Sequence, residues 1–219
     1  MSIIADFVDA LTTAGWPTLD GFTGSFDRGG LERSIAERCP DLSDAVDDTI
    51  VEWWQWAGKA VPTDVVKAIK PYPETVLPYQ IAPDGAELGD LDHLLEMVAQ
   101  RPNLLERGEL VFPILTSTHN CMFGLRRSST SDPWRIWYID REEDYWRPLQ
   151  RVWFLNNEYA SFKDPAVAEI ESPTFDEWLA RIIAGLETGE LEISNRGGVD
   201  LVDPPEDALE DARYRYPWR

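Results

Sequence analysis

The sequence predicts an α+β domain in which a central antiparallel or mixed sheet, ordered as a meander, is flanked by helices. Three observations predict it. Two apolar runs, Leu110 to Leu115 and Cys121 to Leu125, enclose a short polar link, Thr116 to Asn120, which is the pattern of a β-hairpin. Apolar residues alternate at Cys121, Phe123 and Leu125 and again at Trp134, Ile136 and Tyr138, as they do when one sheet face rests on a core. Stripes at helical spacing precede and follow these strands, which favours α+β over repeating βαβ units.

From the N-terminus, Ile3, Ile4, Phe7, Val8 and Leu11 repeat at helical spacing up to Ala14, and Gly15 stops the helix. Trp16 to Gly30 mixes glycines and turn residues with scattered aromatics and reads as an ordered loop, followed by a short helix over Leu31 to Arg38. Pro40-Asp41-Leu42-Ser43 reads as a helix start, because Asp41 or Ser43 can accept the free backbone N–H groups of a first turn. Leu42, Val46, Thr49, Ile50, Trp53 and Ala57 then share one side, with Trp56 at its edge and Gly58 placed to end the helix. Trp53 and Trp56 are expected in the core. Trp54, toward the flank of the stripe, is the better candidate for a surface role.

Four prolines between Val61 and Tyr79 keep any helix there short. Leu91, Leu94, Leu95 and Val98 mark another helix ending before Pro102, with His93 on its polar side. After the hairpin and the Trp134 to Ile139 strand comes a polar link, Asp140 to Pro148, and Gln150 to Leu155 is a fourth strand candidate. Thr174-Phe175-Asp176-Glu177 matches the capping box, and Phe175, Trp178, Leu179, Ile182, Ile183 and Leu186 build the stripe that Gly189 closes. Residues 1–195 are thus read as a single domain with an N-terminal helical extension, and 196–219 as an acidic C-terminal tail.

Composition narrows the function. The chain carries 20 Lys and Arg against 40 Asp and Glu, a net charge of −20, which argues against nucleic acid or anionic lipid as the main partner. Excess acid can serve solubility alone, or it can attract a basic protein, and charge by itself chooses neither. Cys39 and Cys121 are too few for a disulfide framework, so two reduced thiols are expected. No charged leader followed by an apolar run opens the chain, and no window reaches the roughly 18–20 apolar residues of a membrane helix. A cytoplasmic protein away from the membrane is expected.

Catalytic and cofactor motifs are recognisable by their spacing. His93 and His119 form no i, i+4 pair, no Cys-x-x-Cys occurs, and no P-loop, dinucleotide fingerprint or Gly-x-Ser-x-Gly elbow is present, so neither metal nor cofactor is expected. His119 lies in the hairpin turn while Cys121 points into the sheet, which separates them as a nucleophilic pair. The densest charge cluster runs from Asp140 to Arg147. Its acids Asp140, Glu142, Glu143 and Asp144 can pair cations, and Tyr145, Trp146 and the more distant Trp54 can fill a partner's pockets. These seven residues are the expected partner-binding set. The alternative is a glycosidase-like hydrolase using the acids near 140–144, with Trp54 or Trp146 stacked on a sugar, which needs two carboxyl groups about 5–10 Å apart in a cleft.

The order of elements is also similar to a known family. Cys39-Pro40-Asp41 running to Trp53-Trp54-Gln55-Trp56-Ala57-Gly58 resembles the Leu-Pro helix and Gly-containing turn of Smi1/Knr4-type (SUKH superfamily) proteins. Cys121-Met122-Phe123-Gly124-Leu125 followed by Asp132-Pro133-Trp134 resembles the sheet segment of actinobacterial members, and Phe175 and Trp178 match the usual start of the final helix. Cys39 stands where Leu is usual, and no Asn-Gly follows the first helix. The resemblance, over about Leu31 to Gly189, implies a mixed α+β fold, no catalysis, and binding of a protein partner. Many bacterial members are thought to be immunity proteins that neutralise a cognate toxin of polymorphic toxin systems.

Overall fold

The computed structural model describes residues 2–16, 27–60, 87–88, 91–100, 110–116, 122–139, 147–148, 173–193 and 198–202. Helix α1 spans Ile3–Thr13, with Ser2 accepting from the Ala5 N–H at 3.2 Å and Gly15 in the left-handed region at φ 89° just past its end. Helix α2 spans Arg28–Arg38, opening on Asp27 a full turn before the apolar Leu31 at which the sequence suggested a start.

The next segment corrects the expected helix start. Pro40–Ala45 is a 3-10 turn, the chain extends through Val46, and helix α3 begins only at Asp48 and runs to Ala60. Asp47 is its cap, accepting from the Ile50 N–H at 3.1 Å. Gly58 therefore lies inside the helix and does not end it. Leu42 and Ile50 are buried on either side of the break, so the apolar spacing that suggested one helix is shared by two elements.

Strand β1 (Glu87–Leu88), helix α4 (Leu91–Ala99), and strands β2 (Leu110–Thr116), β3 (Met122–Arg127), β4 (Arg135–Ile139) and β5 (Arg147–Pro148) follow. The five strands form one antiparallel sheet in the order β1-β2-β3-β4-β5, the expected meander. Pro113 in β2 has no N–H to offer, and the β2–β3 register shifts between Pro113 and Leu115. Alternation holds in β3 and β4: Phe123, Leu125 and Ile136 are fully buried. The strand paired with β4 is Arg147–Pro148, inside the stretch that read as a link; the Gln150 to Leu155 candidate lies outside the described residues.

Helix α5 (Phe175–Thr188) has the capping box its sequence announces, and Gly189 closes it at φ 76°. Strand β6 (Leu191–Ile193) then pairs with β7 (Val199–Leu201), and Val199 is fully buried. The folded body thus continues past residue 195 into the stretch read as tail; residues 203–219 lie outside the described residues.

The helices meet over an aromatic core. Phe7 of α1, Trp53 of α3 and Phe175 and Trp178 of α5 are buried together, with Trp53 edge-on to Phe175 at 5.3 Å and Phe175 stacked on Trp178 at 6.1 Å. Trp56 adds edge contacts to Phe7 and Trp53 at 5.6 and 5.1 Å. Burying a Trp removes about 150–250 Å² from water, an upper contribution of about 4–6 kcal/mol each. This cluster sets the position of α1 against α5.

Candidate functional site

Two places on the described surface gather chemistry. The first is a corner where α3, the end of β3 and the start of β4 meet. Asp47 Oδ2 accepts from Arg127 Nη1 at 2.7 Å and from Trp134 Nε1 at 2.7 Å, while its Oδ1 caps α3. Arg127 also lies over the Trp134 ring, 4.0 Å from its centroid. It is only 9% exposed, a degree of burial that a cation tolerates when it is paired. Position 127 has the same parity as Phe123 and Leu125, so the strand itself sends this charge inward.

On the outer side of the same corner Arg126 faces Arg135 directly across the β3–β4 ladder, and the Arg126 guanidinium sits 4.0 Å from the centroid of the Trp137 ring. A small cleft of about 280 Å³ runs between Arg126, Arg127, Ser128, Asp132, Arg135 and Trp137. The corner is tied to α5, because the Phe175 N–H donates to the Trp134 carbonyl at 2.8 Å and Ile136 N–H to that of Pro173 at 3.1 Å. At that helix start Glu177 accepts from the Thr174 N–H at 2.8 Å, which, with the Thr174 hydroxyl and the nearby Arg181 and Arg135, holds its carboxyl below the ordinary range.

The second place is a groove of about 710 Å³ between α1 and α5. Ile3, Ala10, Ile183 and Leu186 are among its apolar lining, and Asp6, Asp9 and Glu187 supply carboxylates. The small Ala180 and Ala184 keep the floor low. An apolar floor edged by acids suits the apolar face of a segment with cationic flanks.

Of the residues nominated from sequence, Asp140, Glu142, Glu143, Asp144, Tyr145 and Trp146 lie outside the described residues. Trp54 is described, and its expected surface role is overturned: it is 1% exposed. The reason is geometric. Trp54 stands three and four positions after Val51 and Ile50, both buried, so α3 hides a second apolar line beside the Ile50, Trp53 and Ala57 stripe. Cys39 is a free, buried thiol, pushed up by desolvation and by the charge of Asp41. His93 has no described side chain, and His119 and Cys121 lie outside the described residues.

Sequence reasoning missed Asp47, Arg127 and Trp134 as a unit. A signal existed in the inward parity of Arg127, but its partner lies 80 residues away. It also missed the groove, whose two walls come from opposite ends of the chain. Among the described residues no group of three or more His, Cys, Asp or Glu side chains gathers as a metal site, and no helix is long and apolar enough to cross a membrane. Comparison with protein-family models, with curated proteins and with solved structures finds no match.

Proposed function

We propose that this chain is a non-catalytic, SUKH-like protein-binding module, and within that class an immunity protein that binds and neutralises a cognate basic toxin. The observation that carries the reading is the α1–α5 groove, apolar below and acidic at Asp6, Asp9 and Glu187, on a chain of net charge −20. The helix-flanked meander and the motifs around Pro40, Phe123-Gly124 and Phe175 are compatible with it. In this reading the overall negative field speeds encounter with a cationic partner, and apolar contact in the groove supplies residence time.

The test pairs the chain with the products of the genes that flank its own. Co-expression with a toxic neighbour restores growth, and the purified pair binds with an association rate that falls steeply from low to physiological salt. Asp6→Lys with Asp9→Lys slows association at least tenfold. An acidic partner, a small-molecule ligand as the sole partner, or hydrolysis of a glycan by the purified chain would overturn the reading.

A further inference from the structure

We propose that the α1–α5 groove is a docking site for a segment of this same chain, Arg213-Tyr214-Arg215-Tyr216-Pro217-Trp218-Arg219. It is the only run of seven residues in the sequence that holds three bases and no acid, and three of its other members are aromatic. Arginine, tyrosine and tryptophan are the types that most often anchor interfaces. On a chain of net charge −20, this is where a cationic, aromatic ligand is written into the sequence itself.

The groove offers the complement. Its charged lining residues, Asp6, Asp9 and Glu187, are all acids. None of the three forms an ion pair with a described residue. Arg181, the one base on α5, acts on Glu177 toward the other end of that helix. Neither α1 nor α5 carries a base in its last turn, and both last turns line the groove, through Thr13 and through Leu186 and Glu187. The partial negative charge of each helix C-terminus therefore adds to the field of the acids. Between them the apolar floor at Ile3 and Ile183 can take aromatic rings. Its volume of about 710 Å³ lies within the roughly 300–1,000 Å³ of pockets that bury most of an organic ligand.

The segment is also within reach. Strand β7 returns the chain to the end of α5, where the Val202 N–H donates to the Glu190 carbonyl at 3.2 Å, three residues beyond Glu187. The link from Val202 to Arg213 can span at most about 36–40 Å. The groove walls measure only about 16 Å along α1 from Ile3 to Ala14 and about 10 Å along α5 from Ala180 to Glu187. Charge also sets which part of the link seats. Asp203, Glu206, Asp207, Glu210 and Asp211 are repelled by the groove, so the basic run beyond them is what enters. Joined by so short a link, that run meets the groove at an effective concentration of about 1 mM. A contact with a Kd of roughly 0.1 mM then keeps the groove about nine-tenths occupied. An outside cationic partner has to displace the segment, which weakens its apparent affinity about tenfold. That competition rests on the function proposed above, whereas the docking does not.

Photocross-linking of the full 219-residue chain, alone and at high dilution, tests the docking. With Tyr216→p-benzoylphenylalanine, irradiation should join position 216 to residues of α1 or α5 that line the groove, mapped by mass spectrometry. Asp6→Lys with Asp9→Lys should reduce that cross-link at least fivefold, and so should Arg213→Glu with Arg215→Glu and Arg219→Glu. No cross-link, cross-links confined to other parts of the fold, cross-links only between chains in a mixture of isotopically heavy and light protein, or indifference to both charge reversals would each overturn the proposal. Where the cross-link falls on the chain with its charges unaltered decides independently of whether either reversal folds. Because no partner is present, the absence of a toxin would leave this result standing, and a missing cross-link would leave the partner reading intact.

Discussion

Replacing Asp47 with alanine removes a single carboxylate that serves three partners drawn from two distant parts of the chain. The α3 cap alone is worth about 1 kcal/mol. Stranding the Trp134 indole N–H adds about 1–3 kcal/mol. Removing the counter-charge of a buried arginine costs about 3–5 kcal/mol when both partners are buried. Here Arg127's side chain is 8% exposed but that of Asp47 is 30% exposed, so water reaches the pair and the lower end applies. Because one group serves all three, the losses overlap, and the expected total is about 3–5 kcal/mol. For a chain of this size that lowers Tm by roughly 6–20 °C. Asp47→Asn, which keeps the cap and one neutral acceptor, should cost about half as much.

Urea unfolding followed by Trp fluorescence gives the free energies, and a cycle with Arg127→Met isolates the pair. The double variant should be more stable than the sum of the single losses predicts, by at least about 1 kcal/mol, since methionine leaves no buried charge behind. If Asp47→Ala stays within about 1 kcal/mol of the unaltered protein, or the cycle is additive, the carboxylate does not tie α3 to the sheet and the reasoning fails.

Three further perturbations test other parts of the fold. Trp54→Ala should cost about 3–5 kcal/mol in the same assay, because the ring is buried; a loss under about 1 kcal/mol would return Trp54 to the surface. Glu177 has a folded pKa below its unfolded value of about 4.3, so its carboxylate stabilises the fold above that value and the contribution is lost as pH falls through the folded one. The stability difference between the unaltered chain and Glu177→Gln should therefore be level above roughly pH 5 and shrink below it, and a difference independent of pH would remove the capping box as its source. In a Cys121→Ser background, Cys39 should react with iodoacetamide at least about 100-fold more slowly in the native state than in urea at roughly pH 8, read by mass spectrometry; equal rates would contradict its burial.

The parts of the fold that were legible in the sequence are those decided by neighbours in the chain. Thr174 and Glu177 cap each other across three residues, so α5 announces itself. Phe123, Leu125 and Ile136 alternate because a strand does, whatever lies beyond it. The start of α3 was misplaced because Pro40 and Asp41 open a 3-10 turn as readily as an α-helix. The true cap, Asp47, is held by Arg127 and Trp134, 80 and 87 residues later. The surface role assigned to Trp54 failed for the same reason: a helix packed along two lines hides residues that a single stripe leaves outside.

Helix α5 also relates the two candidate surfaces to one another. Thr174, the residue before its first turn, bridges to Arg135 in the arginine cleft, whereas Ile183, Leu186 and Glu187 line the groove with α1. At 1.5 Å per residue, the 13 steps from Thr174 to Glu187 span about 20 Å along the axis. That exceeds the Debye length of about 8 Å at physiological salt, so the fields of the two surfaces are screened from each other there.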